Sequence, residues 1–440
     1  NIFIMLLRLK IKNFLSFYDE TVFDMFPNIK REKFSHHIYS HMDVPLLKQA
    51  AIYGANGSGK SNFIKAATFL REFITRNNFL KLINLEDYIF QLTNKKSQTI
   101  SFEIEFFHEN QYYLYNTGIS QNEITEKLAI SGLGKTEDQL IFERNGHIVH
   151  SPFLQNEDSV KQLLTLNPTS SLLPLNEHFP VLSSKDVRLA YDWFSNKTEI
   201  ISIDSTVPAL INLMSQDSKL LSFTNNVFEH IGIGIKTVDI SNIPFDKWVT
   251  GTKNATDVQK IIDQKPMSDN QNISQLQNNR NVWNVTMQKG IKTVQEFLFD
   301  QMGQSGYHKA MKISAQSDGT VRLLTLIPAL YCAMHEGKTI FIDEIDNSIH
   351  PNLMFNLLKF YADHDANGQL IFTTHTPKLL NQQELVRPDE VWFAEKTDGN
   401  TQMYSLNDFK LHNTLNIENG YLDGRYGGVP MMEELDEITV

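Results

Sequence analysis

Between residues 49 and 74 the chain reads QAAIYGANGSGKSNFIKAATFLREFI: a short apolar run, a glycine-rich turn and a helical repeat in direct succession. No other stretch limits the possible folds as strongly. Gly54, four residues, and then Gly59-Lys60-Ser61 match the spacing G-x-x-x-x-G-K-[ST]. QAAIY has the length and character of a buried strand, and Phe63, Ala67, Leu70 and Ile74 recur at helical spacing after the turn. Each part has a physical reason. Glycines let backbone N–H groups close on phosphate oxygens where a Cβ would stand in the way. The start of the following helix adds partial positive charge. Lys60 is placed to reach β- and γ-phosphates, and Ser61 to hold Mg²⁺. The expected cradle comprises Gly54, Ala55, Asn56, Gly57, Ser58, Gly59, Lys60, Ser61 and Asn62, with Asn56 set to contact the γ-phosphate or orient water.

Two later strands have tips that match this loop. In KTIFIDEIDNSIHP (338–351) an apolar run ends in paired carboxylates. Such a pair alone is often a loop entry. Beside a phosphate cradle, Asp343 is placed to hold the Mg²⁺ hydration shell and Glu344 to accept a proton from attacking water. In QLIFTTHTP (369–377) another strand ends at His375. A lone strand-end histidine is usually structural, but in this company it reads as a γ-phosphate sensor. A fourth stretch, ISAQSDGT (313–320), abuts the apolar run VRLLTLIPAL. Alone it is a helix start with Ser317, Asp318 and Thr320 as caps and Gly319 easing the turn. Pro328 should kink the helix that follows.

The ordered set of cradle, Ser-x-Gly turn, strand-Asp-Glu and strand-His resembles the ATPase heads of the ABC superfamily, in the branch with SMC, Rad50, RecF and OLD proteins. The stretches LLRLKIKNFLSFYDETVFDM, SDGTVRLLTLIPAL, DEIDNSIHP, FTTHTP and the tail 389–430 are similar to AAA15-type ATPases. The likeness covers about 1–120 and 285–430. It implies an α/β fold: a P-loop mixed-sheet core, an antiparallel β subdomain and a helical insertion. It implies that QSDGT is the signature motif, with Asp318 where a second glycine is common. Ser317 and Gly319 would then face the γ-phosphate held by a second copy, so that two heads sandwich two ATP molecules. It places Asn13, in KNFLSF, near the nucleotide, with Leu15 where an arginine often precedes the serine. It also makes Gln91 a candidate Q-loop ligand of Mg²⁺, a plain loop glutamine being the alternative. Asp346 is either a D-loop residue at the dimer seam or a solvated turn acid. The group includes ATPases of abortive phage-resistance and related defence systems, generally encoded beside a separate effector, which implies a partner such as a nuclease or toxin. The competing readings are a RecF- or Rad50-like repair head acting on DNA and an ATP-binding scaffold with little turnover.

Composition narrows the alternatives. A net charge of −11 argues against a protein whose main task is coating nucleic acid. Hydrophobic residues at 41% and 29 Phe provide for a sizeable core. Cys332 is the sole cysteine, so no intrachain disulfide forms; a cytoplasmic setting and a core position for the thiol are expected. No apolar run reaches the ~20 residues of a membrane span. The opening alternates like a strand, and Met5 is a candidate natural start. The tail beyond 376 lacks the Glu and Asp-x-Asp set of a two-metal nuclease. Three parts are expected: 1–149 as the N-terminal lobe with the cradle and antiparallel strands, 150–283 as a helical insertion, and 284–440 as the C-terminal lobe. Residues 252–283, rich in Asn and Gln, read as a linker. His36, His37 and His41 invite a metal reading, but no neighbouring Cys or acid cluster supports it, and a loop is preferred.

Overall fold

A computed structural model describes residues 4–40, 42–94, 97–202, 207–251, 272–278, 281–288, 290–410 and 416–429. The chain divides into two compact units. The first contains Asn1–Ile203, Cys332–Asp346 and Met354–Val440; the second contains Asp204–Tyr331 and Asn347–Leu353.

The first unit holds two sheets. One is antiparallel and is built from β1 (Met5–Lys12), β2 (Thr21–Asp24), β6 (Ile100–His108), β7 (Gln111–Ile119), β8 (Ile124–Ile130), β9 (Gln139–Asn145) and β10 (Ile148–His150), in the order β10-β9-β8-β7-β6-β1-β2. The β6–β7 hairpin turns on Glu109 and Asn110, both with positive φ, the two-residue turn that matches strand twist. The short pair β3 (Ile38–Tyr39) and β4 (Leu46–Leu47) stands between β2 and β5 in the chain. The second sheet contains β5 (Gln49–Tyr53), β11 (Thr198–Ile201), β17 (Thr339–Ile342), β18 (Gln369–Thr373), β19 (Val391–Thr397) and β20 (Asn400–Ser405). Its order is β11-β17-β18-β5-β19-β20, parallel throughout except for the β19–β20 hairpin. Strands β5, β17 and β18 are buried along their whole length, which is why they read as unbroken apolar runs. Helix α1 (Lys60–Thr75) follows β5, and its Phe63, Phe69, Leu70 and Phe73 enter a core shared with β1 and β6. Gln369 is fully buried and joins the two sheets: Oε1 accepts from Leu6 N at 2.6 Å, and Nε2 donates to Leu6 O at 3.1 Å and Leu47 O at 3.0 Å.

Helices Glu157–Leu166, Leu172–His178 and Lys185–Asn196 belong to this first unit. The expected insertion over 150–283 is therefore not a single piece. The reason is packing: Trp193 stacks on Phe106 at 4.6 Å, and Val187, Ala190 and Phe194 are buried in the same core. The buried Glu126 carboxylate accepts from Leu172 N and the Ser171 hydroxyl and pairs with Arg144 at 2.6 Å.

The second unit is not purely helical. Helices Pro208–Gln216, Ser218–His230 and Phe245–Gly251 accompany an antiparallel sheet of β12 (Ile235–Pro244), β13 (Asn272–Asn278), β14 (Asn281–Gln288), β15 (Ile291–Met302) and β16 (His308–Lys312). The expected linker over 252–283 is thus overturned for 272–278 and 281–283, which are strands; 252–271 lie outside the described residues. Amide side chains pair across this sheet: Asn284 donates to Gln295 at 2.8 Å, and Gln295 to Asn242 at 2.8 Å. A small core of Phe245, Trp248, Trp283, Val285 and Val294 supports it. The helix Asp318–Tyr331 runs through Pro328, and a π-helical turn over Cys332–Glu336 follows. Cys332 is buried, and burial pushes its thiol pKa well up, in keeping with the expected core role. Among the described residues no helix is long and apolar enough to cross a membrane.

Candidate active site

Because β5, β17 and β18 are parallel neighbours, their C-terminal tips lie along one edge of the sheet. The glycine loop, Asp343-Glu344 and His375 are therefore brought together by sheet order alone. Gly59 has φ 109°, and a Cβ there would stand 2.2 Å from Thr401 Oγ1 and 2.9 Å from Ser16 Oγ. A Cβ on Gly54 would meet Ala394 O at 2.4 Å. The loop is thus pressed onto β19 and β20 from behind, and only glycine fits. Asn56 and Gly57 are exposed at its apex, while Ser58 is buried. The segment after the helix Ile417–Leu422 also backs the loop: a Cβ on Gly428 would lie 3.5 Å from Gly54 Cα.

Lys60 is buried, and its Nζ donates to Gly54 O at 2.8 Å and Ala55 O at 3.0 Å. Burial pulls its pKa down to about 8, against the opposing pull of Glu344, Asp343 and Asp346. The Ser61 hydroxyl donates to Asp343 Oδ1 at 3.2 Å. Thr373 Oγ1 donates to the same oxygen at 2.7 Å and accepts from Glu344 N at 2.7 Å. Thr373 therefore sets both acids at once. Glu344 sits at φ 45°, a left-handed conformation that is costly for a side chain of this kind. His375 keeps part of its surface exposed; partial desolvation of the ring first, then Lys60, lowers its pKa, with Asp346, Glu344 and Asp343 pulling the other way. At neutral pH the ring is neutral and able to donate one hydrogen bond. Asp346 accepts a hydrogen bond from the Thr376 hydroxyl.

The donor set fits Mg²⁺ and a polyphosphate. A hydroxyl and a carboxylate already face each other at Ser61 and Asp343, the oxygen pair such an ion takes. The Lys60 ammonium is held on backbone carbonyls of a loop whose Gly54 and Gly59 leave no room for a Cβ on the side packed against Ala394 and Thr401.

Two expected positions differ. Asn13 is buried at φ 56°, and its amide donates to Ser97 O and Thr99 O, both at 2.9 Å. It holds the turn; Ser16, three residues on, is the one that reaches the loop. Ser16 Oγ accepts from Asn62 Nδ2 at 2.8 Å and lies 2.7 Å from Thr401 Oγ1, while the Thr401 hydroxyl donates to Ser58 O at 2.8 Å. Gln91 is exposed, and its amide donates to Glu86 O and Ile89 O, both within its own loop. Sequence reasoning missed Ser16, Thr373 and Thr401. Ser16 was visible only as the residue after Leu15, and Thr373 as half of the doublet in FTTHTP. Thr401 carries no sequence signal at all.

Ser317 and Gly319 lie in the second unit. Ser317 Oγ caps its helix, accepting from Thr320 N at 3.2 Å, and a Cβ on Gly319 would meet Ser348 O at 2.5 Å. The turn is a built helix start with no room for a side chain at its second small residue.

A glycine-walled cradle beside an Asp-Glu strand tip and a histidine strand tip, on a parallel sheet flanked by an antiparallel one, defines a P-loop ATPase head of the ABC type. A family model described as "AAA domain, putative AbiEii toxin, Type IV TA system" matches residues 50–180 and 293–381, half of the chain, and the chain belongs to that family. No curated protein matches it. Among solved structures, an Smc head bound to the C-terminal winged-helix domain of ScpA aligns at 13% identity and TM-score 0.49, over 91% of this chain and 98% of that one. An SMC head domain from Thermotoga maritima aligns at 13% identity and TM-score 0.41, over 92% and 100%. An Smc head with an extended coiled coil, bound to a ScpA domain derived from Pyrococcus furiosus, gives 13% identity and TM-score 0.44, over 96% and 99%.

Proposed function

We propose that this chain is an ATP-gated switch of the AAA15 type, which dimerises around ATP, hydrolyses it and so controls a separately encoded effector in phage defence, in the cytoplasm. The observation that carries the ATPase part is the convergence of Lys60, Ser61, Asp343, Glu344 and His375 on one sheet edge. Ser61 and Asp343 would hold Mg²⁺, which when bound supplies positive charge to the phosphate oxygens. Lys60 leaves the carbonyls of Gly54 and Ala55 and turns its ammonium to the β- and γ-phosphates. Glu344 takes the proton of the attacking water as its oxygen bonds to the γ-phosphorus, the bond from that phosphorus to the β–γ bridging oxygen breaks and ADP leaves with the electron pair, and His375 donates to the γ-phosphate. Ser317 and Gly319 of a second copy complete the site. In support, the QSDGT turn resembles the signature motif of ABC-type heads, which faces the nucleotide of a second head. The defence role leans on the family description, which names a toxin, and on the resemblance of the tail and signature stretches.

The test is Glu344→Gln. Nucleotide binding should be retained, dimers should accumulate with ATP, and turnover should fall about 100-fold or more. Undiminished turnover would remove Glu344 as the base. ATP-dependent, salt-sensitive DNA binding in a gel shift would move the role from effector control to DNA repair.

A further inference from the structure

His36 and His37 lie in the single turn Ser35–His37 that leads into β3. Their sequence neighbours offer no acid cluster, but the fold brings acids from far along the chain. Asp363 ends the helix Pro351–Asp363, and Glu390 immediately precedes β19. All of these residues belong to the first unit.

His37 is 1% exposed, with Nδ1 2.9 Å from Glu390 Oε1. Its Nε2 is buried and has no hydrogen-bond partner. A buried polar atom left unpaired is destabilising, so the atom calls for an explanation. Glu390 is itself fixed: Oε2 accepts from Arg387 N at 2.8 Å and from Gln49 Nε2 at 3.3 Å. A carboxylate held in this way keeps the ring proton on Nδ1 and leaves a lone pair on Nε2. This is the outer-shell support that metal-binding histidines receive. His36 is half-exposed and sets Nε2 3.2 Å from Asp363 Oδ1. The two imidazoles meet edge to face with centroids 4.5 Å apart.

One ligand atom from each of His36, His37 and Asp363 lies within 4.8 Å of the others. Ligand atoms about 2.0–2.2 Å from a tetrahedral ion sit about 3.3 Å apart, close to the present His36–Asp363 spacing. The widest separation needs to close by about 1.5 Å, which side-chain rotation supplies. Lys359 occupies the other carboxylate oxygen, Oδ2 of Asp363, at 2.9 Å and leaves Oδ1 to the histidine side. Two imidazoles and one carboxylate suit a borderline ion such as Zn²⁺ rather than Mg²⁺ or Ca²⁺. His41 lies outside the described residues.

We propose that His36, His37 and Asp363 form a site for a divalent transition ion, Zn²⁺ in the cell, with Glu390 as the positioning residue and water completing the coordination. The ion would clasp the β3 turn to the end of the helix Pro351–Asp363, apart from the Mg²⁺ ligands Ser61 and Asp343.

The experiment uses the full chain, stripped with chelator and titrated with Co²⁺ as a visible-absorbing probe and with Zn²⁺ by calorimetry. One equivalent should bind, with the absorption of a low-symmetry histidine-carboxylate site. His36→Ala and Asp363→Asn alter half-exposed side chains and should fold; each should weaken binding about tenfold or more. Asp343→Asn should leave this equivalent in place. Equal binding by wild type and the His36→Ala/Asp363→Asn double variant would overturn the site. So would an ion that survives His36→Ala but is lost in Asp343→Asn, since it would then sit in the nucleotide site.

Discussion

Lys60 keeps its charge in a buried place, and the consequence can be measured. With its pKa drawn down to about 8, the ammonium is charged below that pH and neutral above it. A bound phosphate favours the charged form and raises the pKa again. Nucleotide affinity should therefore be full near pH 7, fall as the pH climbs through about 8, and be accompanied by proton uptake in that window. Fluorescent-nucleotide titrations, with calorimetry in buffers of differing ionisation enthalpy, check both parts. A flat profile from pH 7 to 9 would show that Lys60 does not titrate there. Thr373 deserves equal weight at this scale. It accepts from Glu344 N and donates to Asp343 Oδ1, and so couples the proposed base to the proposed metal ligand through one hydroxyl.

Among the elements, the glycine loop is limited by what lies behind it as much as by its ligand. Gly59→Ala would drive a methyl group into Thr401 Oγ1 and Ser16 Oγ at a backbone φ of 109°. Nucleotide binding should be lost even where the protein still folds, and nucleotide titration alongside circular dichroism separates the two effects. Gln369→Leu tests the seam between the sheets. It strips partners from Leu6 N, Leu6 O and Leu47 O in a dry core, and should cost about 3 kcal/mol on denaturant unfolding. Legibility in sequence followed the same division. QAAIY, TIFI and QLIFT are short apolar runs ending in chemistry-bearing residues, so strand, tip and partner could be read together. The strand at 272–278 could not be read in the same way. Amides pair elsewhere in the same sheet, as Asn284 does with Gln295, and such pairing is invisible in a composition rich in Asn and Gln. Asn13 and Gln91 were placed by likeness alone, and each is engaged with backbone carbonyls of its own neighbourhood. Helices Glu157–Leu166 to Lys185–Asn196 looked like an insertion because amphipathic spacing says which face is buried and not which core receives it.

For the whole molecule, the proposed shared site is testable by mixing. Lys60→Ala and Ser317→Arg chains should each be inactive alone. Combined in equal amounts, random pairing leaves about a quarter of wild-type sites intact, and hydrolysis should recover toward that level. Absence of recovery at every ratio would dissociate the Ser317 turn from catalysis in a neighbour.

The strand order carries a further consequence, for how the protein comes into being. Strand β5, which launches the cradle, is flanked by β18 and β19, whose residues emerge from the ribosome more than 300 positions later. Until then the cradle strand has neither of its neighbours, and a nascent chain cannot acquire a working nucleotide pocket piecemeal. A prematurely terminated product would be inert toward ATP while exposing an unpaired apolar strand, a target for chaperones rather than a half-armed switch.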